Sequence, residues 1–171
     1  SQRGGITRFD RTTGQRQNVQ IWPRQSDGFP AGGIRERFQW TFPIVMSLHD
    51  PRVIYAASQH VWKTEDAGEN WQRISPDLTL ADPETLTGSE QPIKDHNSQD
   101  YYATIFTLAV SPHDAQTLWT GSDDGLIHVS RDGGANWQDV TPEDLPFRAK
   151  ASLIEVSPHT PGKAYLAAEK Y

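Results

Sequence analysis

Ser130-Arg131-Asp132-Gly133-Gly134-Ala135-Asn136-Trp137 matches, residue for residue in spacing, an earlier stretch, Thr64-Glu65-Asp66-Ala67-Gly68-Glu69-Asn70-Trp71. Each has a hydroxyl, an aspartate, a glycine and a tryptophan in the order Ser/Thr-x-Asp-x-Gly-x-x-Trp. A second pattern precedes them. Ser47-Leu48-His49-Asp50-Pro51 recurs as Ser111-Pro112-His113-Asp114 and again as Ser157-Pro158-His159-Thr160-Pro161. Every copy of this second pattern is flanked by apolar runs of strand length: Phe42–Met46 and Val53–Ala57, Ile105–Val110 and Thr117–Gly121, Leu153–Val156 and Ala164–Ala168. Two such runs joined by a turn containing Pro, His and Asp read as a β-hairpin.

The hairpin and the Asp-containing turn together define a unit of four short strands, A to D, repeated along the chain. Strand A is expected over 38–47, 102–111 and 149–157, strand B over 52–58, 117–122 and 163–169, and strand C over 60–64 and 126–130. Strand D follows each Trp of the Asp turn. The second unit is two residues longer, in its turn Ser122-Asp123-Asp124-Gly125. At the N-terminus Gly5–Asp10 and Asn18–Trp22 read as strands C and D, with a reduced turn Asp10-Arg11-Thr12-Thr13-Gly14 between them. Four-stranded antiparallel units in series are propeller blades. The expected fold is therefore all-β, a β-propeller segment with an incomplete ring: a half blade over 1–22, full blades over 23–75 and 76–140, and the start of another over 141–171.

Composition agrees. The chain has 171 residues with 13 Gly and 12 Pro, which favour turns over long helices, and 6 Trp, 6 Phe and 5 Tyr to fill a core. A net charge of -6 gives no basic field for nucleic acid. No run approaches the ~18 apolar residues of a membrane span, and no signal segment opens the chain. Cysteine is absent, so disulfides and thiolate metal sites are excluded. His49, His113 and His159 occupy one equivalent position in three separate units. They cannot surround a single ion at ligand distances of about 2 Å, and neither metal nor cofactor is expected.

The Ser/Thr-x-Asp-x-Gly-x-x-Trp pattern is the Asp box of the BNR repeat, and the chain resembles BNR/Asp-box β-propellers: sialidases, two-propeller xyloglucanases and the sortilin (VPS10) ectodomain. The likeness to bacterial sortilin-like proteins labelled glycosyl hydrolases is carried by Arg37-Phe38-Gln39-Trp40-Thr41-Phe42-Pro43, Ile74-Ser75-Pro76-Asp77-Leu78-Thr79 and Gly121–Ser130. A catalytic group is needed once, whereas the Asp boxes repeat. Asp66, Gly68, Trp71, Asp132, Gly134 and Trp137 are therefore read as turn staples, with Asp accepting from turn amides.

Function is expected on the opposite rim, where the long connections 23–37 and 76–101 meet the B–C turns. Side chains gathered there include Arg24, Asp27, Lys94, Asn97 and Arg148. Ligand-binding candidates are Arg35, Arg37, Trp40, His96, Tyr101, Tyr102 and Asp124. Aromatic faces stack on sugars or peptides, and guanidinium groups pair with carboxylates. The resemblance implies a ligand- or protein-binding scaffold in a larger exported bacterial protein, periplasmic or extracellular. Its partners would be the remaining blades of a longer chain or a complementary subunit, together with a peptide, protein or glycan ligand. The alternative is a glycoside hydrolase working through paired carboxylates, for which Asp123, Asp124, Glu36 and Asp95 are the available acids. Phe42-Pro43-Ile44 lacks the arginine that the sialidase motif sets beside its proline, and the cysteine-rich modules of sortilin are absent from this chain. Small BNR propellers that chaperone membrane complexes offer a third role.

Overall fold

The computed structural model describes residues 3–23, 31–86 and 102–170. Among these residues twelve strands form two four-stranded and two two-stranded antiparallel sheets. The first pair joins β1 (Thr7–Phe9) to β2 (Arg16–Asn18). Next comes a full blade in the order β3 (Ile44–Met46), β4 (Ile54–Ala57), β5 (Val61–Thr64), β6 (Gln72–Arg73). The second full blade is β7 (Ile105–Val110), β8 (Leu118–Ser122), β9 (Ile127–Ser130), β10 (Gln138–Asp139). A final pair joins β11 (Lys150–Val156) to β12 (Ala164–Glu169). Among the described residues, helical structure is limited to a turn at Ala31–Gly33 and another at Pro83–Leu86.

This is the expected propeller segment, with two local corrections. The innermost strand of the first full blade starts at Ile44 rather than Phe38. Phe38 and Phe42 instead turn inward and meet edge to face at 5.3 Å, and Pro43 has no N–H to extend the ladder. The last strand of the first half blade is Arg16–Asn18, earlier than 18–22. Asp10 is the cause: its carboxylate accepts from the amides of Thr12 and Thr13, and its own N–H donates to the Gln15 carbonyl. The turn closes early and brings the return strand forward.

Alternation along each strand sends one set of side chains to the preceding blade and the other to the following blade. Tyr55, Ala57 and Val61 of one blade meet Leu108, Val110 and Leu118 of the next in a continuous core. Trp119 and Ile127, on the far face of that second blade, pack with Ile154, Ala164 and Leu166. Phe42, Ala56 and Trp71 pack with Ile6, Ile21 and Trp22 of the first pair. Each fully buried Leu or Val contributes about 1.5–3 kcal/mol, so the core lies between blades rather than within them.

Two kinds of hydrogen bond repeat across these joints. Trp71 donates its indole N–H to the Val19 carbonyl at 2.8 Å, and Trp137 donates to the Ile74 carbonyl at 2.9 Å. On the same edge of the blades, His49 Nε2 donates to the Ser111 carbonyl at 2.9 Å and His113 Nε2 to the Ser157 carbonyl at 2.9 Å. Because a carbonyl only accepts, both imidazoles must carry a proton on Nε2.

The Asp turns are self-contained. Asp66 Oδ1 accepts from Asn70 N at 2.9 Å and Thr64 Oγ1 at 2.8 Å, and its Oδ2 accepts from Asn70 Nδ2 at 2.8 Å. Asp132 repeats the set with Asn136 and Ser130. Hydrogen bonds from the Asn70 backbone and side chain, together with Thr64, lower the Asp66 carboxyl to about 2. Gly68 and Gly134 have φ of 89° and 99°, and a Cβ there would lie 2.9 Å from Val19 Cβ and 2.8 Å from Ile74 Cδ1. The glycine thus serves both the turn and the joint.

Gly121 is needed for proximity alone. A Cβ on it would lie 2.6 Å from Ala151 Cβ and 2.9 Å from Thr107 Cγ2. Gly121→Ala should destabilise the fold by about 1–3 kcal/mol through overpacking, read as a lower urea midpoint at unchanged m-value. Wild-type stability in that variant would mean β11 does not sit this close.

Candidate functional site

The rim opposite the Asp turns is built where each B–C turn meets the connection entering its own blade. In the first full blade Gln59 clamps that connection, its Oε1 accepting from Arg37 N and its Nε2 donating to the Arg35 carbonyl, both at 2.8 Å. In the second, Asp123 holds the same position: Oδ1 accepts from Thr104 N at 2.8 Å and Oδ2 lies 2.7 Å from Thr104 Oγ1. The two extra residues of this turn bring Asp124 beneath the connection from the preceding blade, and Asp124 Oδ2 accepts from Ala81 N at 3.1 Å.

Most of the sequence-derived site residues that lie among the described residues are held by this framework. Glu36 is 4% exposed; its Oε2 accepts from Ser58 Oγ at 2.8 Å and lies 3.1 Å from His60 Nδ1. His60 is accordingly a buried, paired group. Arg37 is 6% exposed, with Nε donating to the Ala103 carbonyl at 2.9 Å and a terminal nitrogen 2.8 Å from Asp77. It ties its own connection to both ends of the connection between the two full blades. Tyr102 is buried, and burial with the nearby Asp124 and Asp123 charges raises its phenol to about 12. Arg148, also gathered to the rim, pairs with Asp82.

Asp123 and Asp124 are each 2% exposed. Burial, then the neighbouring Asp124, raises the Asp123 carboxyl to about 8, and burial raises Asp124 as well. Asp124 Oδ1 is buried and has no hydrogen-bond partner among the described residues.

Two tryptophans here carry a guanidinium over the ring, one pair exposed and one largely buried. The exposed Arg35 guanidinium lies 4.8 Å above the half-buried Trp22 ring, and the Arg3 guanidinium lies 4.8 Å above the half-buried Trp40 ring. Trp22 carries a packing signal in sequence but no binding signal, since the stacking depends on the fold. Asp95, His96 and Tyr101, with Arg24, Asp27, Lys94 and Asn97, lie outside the described residues. No group of three or more potential metal ligands occurs among the described residues, and no described helix is long and apolar enough to cross a membrane.

A segment of β-propeller is the class that these sheets define. No family model matches the chain, and no curated protein matches it in sequence. Solved structures do. The GH74 xyloglucanase from Xanthomonas campestris is similar over 90% of this chain at 20% identity, with a TM-score of 0.55. An ancestral GH74 enzyme is similar over 75% at 14% identity, with a TM-score of 0.50. The chain spans 21% and 16% of the lengths of those two enzymes. A structure of YCF48 bound to D1 peptide is matched over 91% of this chain and 67% of its own, at 11% identity and a TM-score of 0.30. These identities bear on fold alone, and the first two structures carry the comparison.

Proposed function

We propose that the chain is a BNR/Asp-box, sortilin-like propeller segment acting as a ligand- or protein-binding scaffold within a larger exported bacterial protein. The observation supporting this reading is the division of labour on the rim. Glu36, Arg37 and Asp123 are occupied by internal partners, which leaves Arg35 stacked on Trp22 as an outward platform. A cation above an indole face suits a sugar ring or a peptide carrying a carboxylate. The experiment is a binding panel of xyloglucan oligosaccharides and acidic peptides read by tryptophan fluorescence. Arg35→Ala and Trp22→Ala should each weaken the binding ligand about 10-fold or more, with Arg35→Ala leaving the melting temperature within a degree or two. A panel that binds both variants as tightly as wild type would overturn the reading.

A second reading, glycoside hydrolysis, draws support from Asp124, a buried carboxyl with one unpartnered oxygen beside another acid. Burial raises the Asp124 carboxyl, the direction in which a general acid for leaving-group protonation is tuned. Release of reducing sugar that disappears in Asp124→Asn would favour this reading over pure binding.

A further inference from the structure

We propose that His60 is a further ligand-contacting residue, whose Nε2 accepts a hydrogen bond from a sugar hydroxyl laid on the Arg35–Trp22 platform. The inference rests on the binding reading above and deepens it, because it selects a neutral glycan from the two ligand classes that the platform suits.

The imidazole stands at the outer end of a directed set of hydrogen bonds. Ser58 Oγ accepts from Trp62 Nε1 and from the His60 backbone N–H, both at 3.1 Å. With its lone pairs taken, the hydroxyl donates its one proton to Glu36 Oε2 at 2.8 Å. His60 Nδ1 lies 3.1 Å from the same carboxylate oxygen. A carboxylate only accepts, so Nδ1 carries the ring proton and the neutral imidazole keeps a lone pair on Nε2. This is the reverse of His49 and His113, whose Nε2 must donate to a carbonyl.

That lone pair is unused and reachable. Nε2 has no hydrogen-bond partner among the described residues, and it is not one of the fully enclosed polar atoms that lack a partner. The His60 side chain is 11% exposed, against 3% for Glu36 behind it. Glu36, Ser58 and Trp62 therefore fix the ring and its tautomer from within, and Nε2 is the ring nitrogen left to meet a ligand.

The site and the platform share one joint. Ala56 pairs across the sheet with Trp62, so both lie on one face of the blade, and Trp22 packs on the cluster that contains Ala56. The His60 ring meets Trp62 edge-on at 6.4 Å, which sets it on that same face. The entering connection arrives at the same place. Gln59 clamps it on both sides of Glu36, through the Arg35 carbonyl and the Arg37 N–H. Arg35 and Glu36 are consecutive, with Cα atoms about 3.8 Å apart, and they part there: one side chain to Trp22, the other to His60.

Three recognition elements thus converge: an indole face, a guanidinium that only donates, and an imidazole nitrogen that only accepts. A sugar ring offers an apolar C–H face and hydroxyls that both donate and accept. A carboxylate has no proton to give Nε2, and the Glu36 charge behind the ring opposes a second anion at that end. An ammonium group could donate to Nε2 but is repelled by Arg35. A neutral hydroxylated ligand satisfies all three elements.

The test is a long-range proton–nitrogen correlation spectrum of the labelled 171-residue chain, which reports the protonation of each imidazole nitrogen. In the free chain His60 should show an unprotonated Nε2, whereas His49 and His113 show protonated ones. Adding xyloglucan or cello-oligosaccharides should move the His60 Nε2 resonance and leave those of His49 and His113 in place. His60→Phe keeps a ring against Trp62 but lacks Nε2, so it should weaken oligosaccharide binding roughly 3- to 10-fold. The wild-type spectrum decides the matter even where that variant fails to fold. A protonated Nε2 on free His60, or oligosaccharide binding that leaves its resonance unmoved, would overturn the proposal while the Arg35–Trp22 reading stands. So would a panel in which acidic peptides alone bind through Arg35 and Trp22. Binding by neither class would overturn the platform reading and this inference with it.

Discussion

Trp137→Ala should cost about 3–5 kcal/mol of folding stability, the range for deleting a large aromatic from a packed site. The indole does two things at once. It packs against the core shared by the two full blades, and its N–H bonds the Ile74 carbonyl of the preceding blade. Trp137→Phe retains much of the packing and loses the bond, so it should cost nearer 1 kcal/mol beyond the difference in ring volume. Because the joint lies between blades, the larger loss should appear as separation of one unfolding transition into two, measured by urea denaturation followed by circular dichroism. Equal effects from Ala and Phe would show that the hydrogen bond, and not burial, dominates the joint.

A second large effect concerns pH. Asp123 keeps its proton in the folded chain up to about 8, whereas the unfolded side chain loses it near 3.8. Between these values the folded state binds the extra proton, so stability must fall as pH rises. Each unit of displacement is worth about 1.4 kcal/mol, which makes the loss between pH 5 and pH 8 on the order of a few kcal/mol. His128 acts in the opposite sense, because burial lowers its pKa and stability is lost as pH falls below 6.5. The Asp turns act elsewhere: Asp66 and Asp132 are lowered, so their contribution disappears only as pH falls through and below the ordinary carboxylate range.

Asp123→Asn separates these terms. The amide can accept from Thr104 N and donate to Thr104 Oγ1, reproducing both contacts of the protonated acid. The variant should match wild type at pH 5, exceed it at pH 8 and show a flatter profile between, measured as melting temperature against pH. An unchanged slope would mean that Asp123 titrates like an exposed acid. The same burial argues against Asp123 as a freely ionised nucleophile at neutral pH.

The fold was legible because its signals are local and repeated. Asp66–Trp71 and Asp132–Trp137 specify their turns through contacts within eight residues, and the offset between copies places the strands. What failed to show in sequence was partnership at long range. His49 and His113 read as turn residues, yet each reaches the backbone of the next blade more than forty residues away. Glu36 and Arg37 read as rim chemistry because charged residues in long loops usually face water. They are buried because Ser58, His60, Asp77 and Ala103 arrive from three other segments to satisfy them. Arg35 and Trp22 come together across residues 24–34, a distance no local pattern measures.

The four inter-blade bonds donated by Trp71, Trp137, His49 and His113 end on main-chain carbonyls: Val19, Ile74, Ser111 and Ser157. An acceptor of that kind is present whatever amino acid occupies the position. Through these four bonds the donor makes no demand on the identity of the accepting residue, only on its backbone path. Units joined in this way can diverge, be duplicated or be exchanged between genes while the coupling is preserved. The weak sequence identity between this chain and the enzymes that share its architecture is what such a coupling would permit.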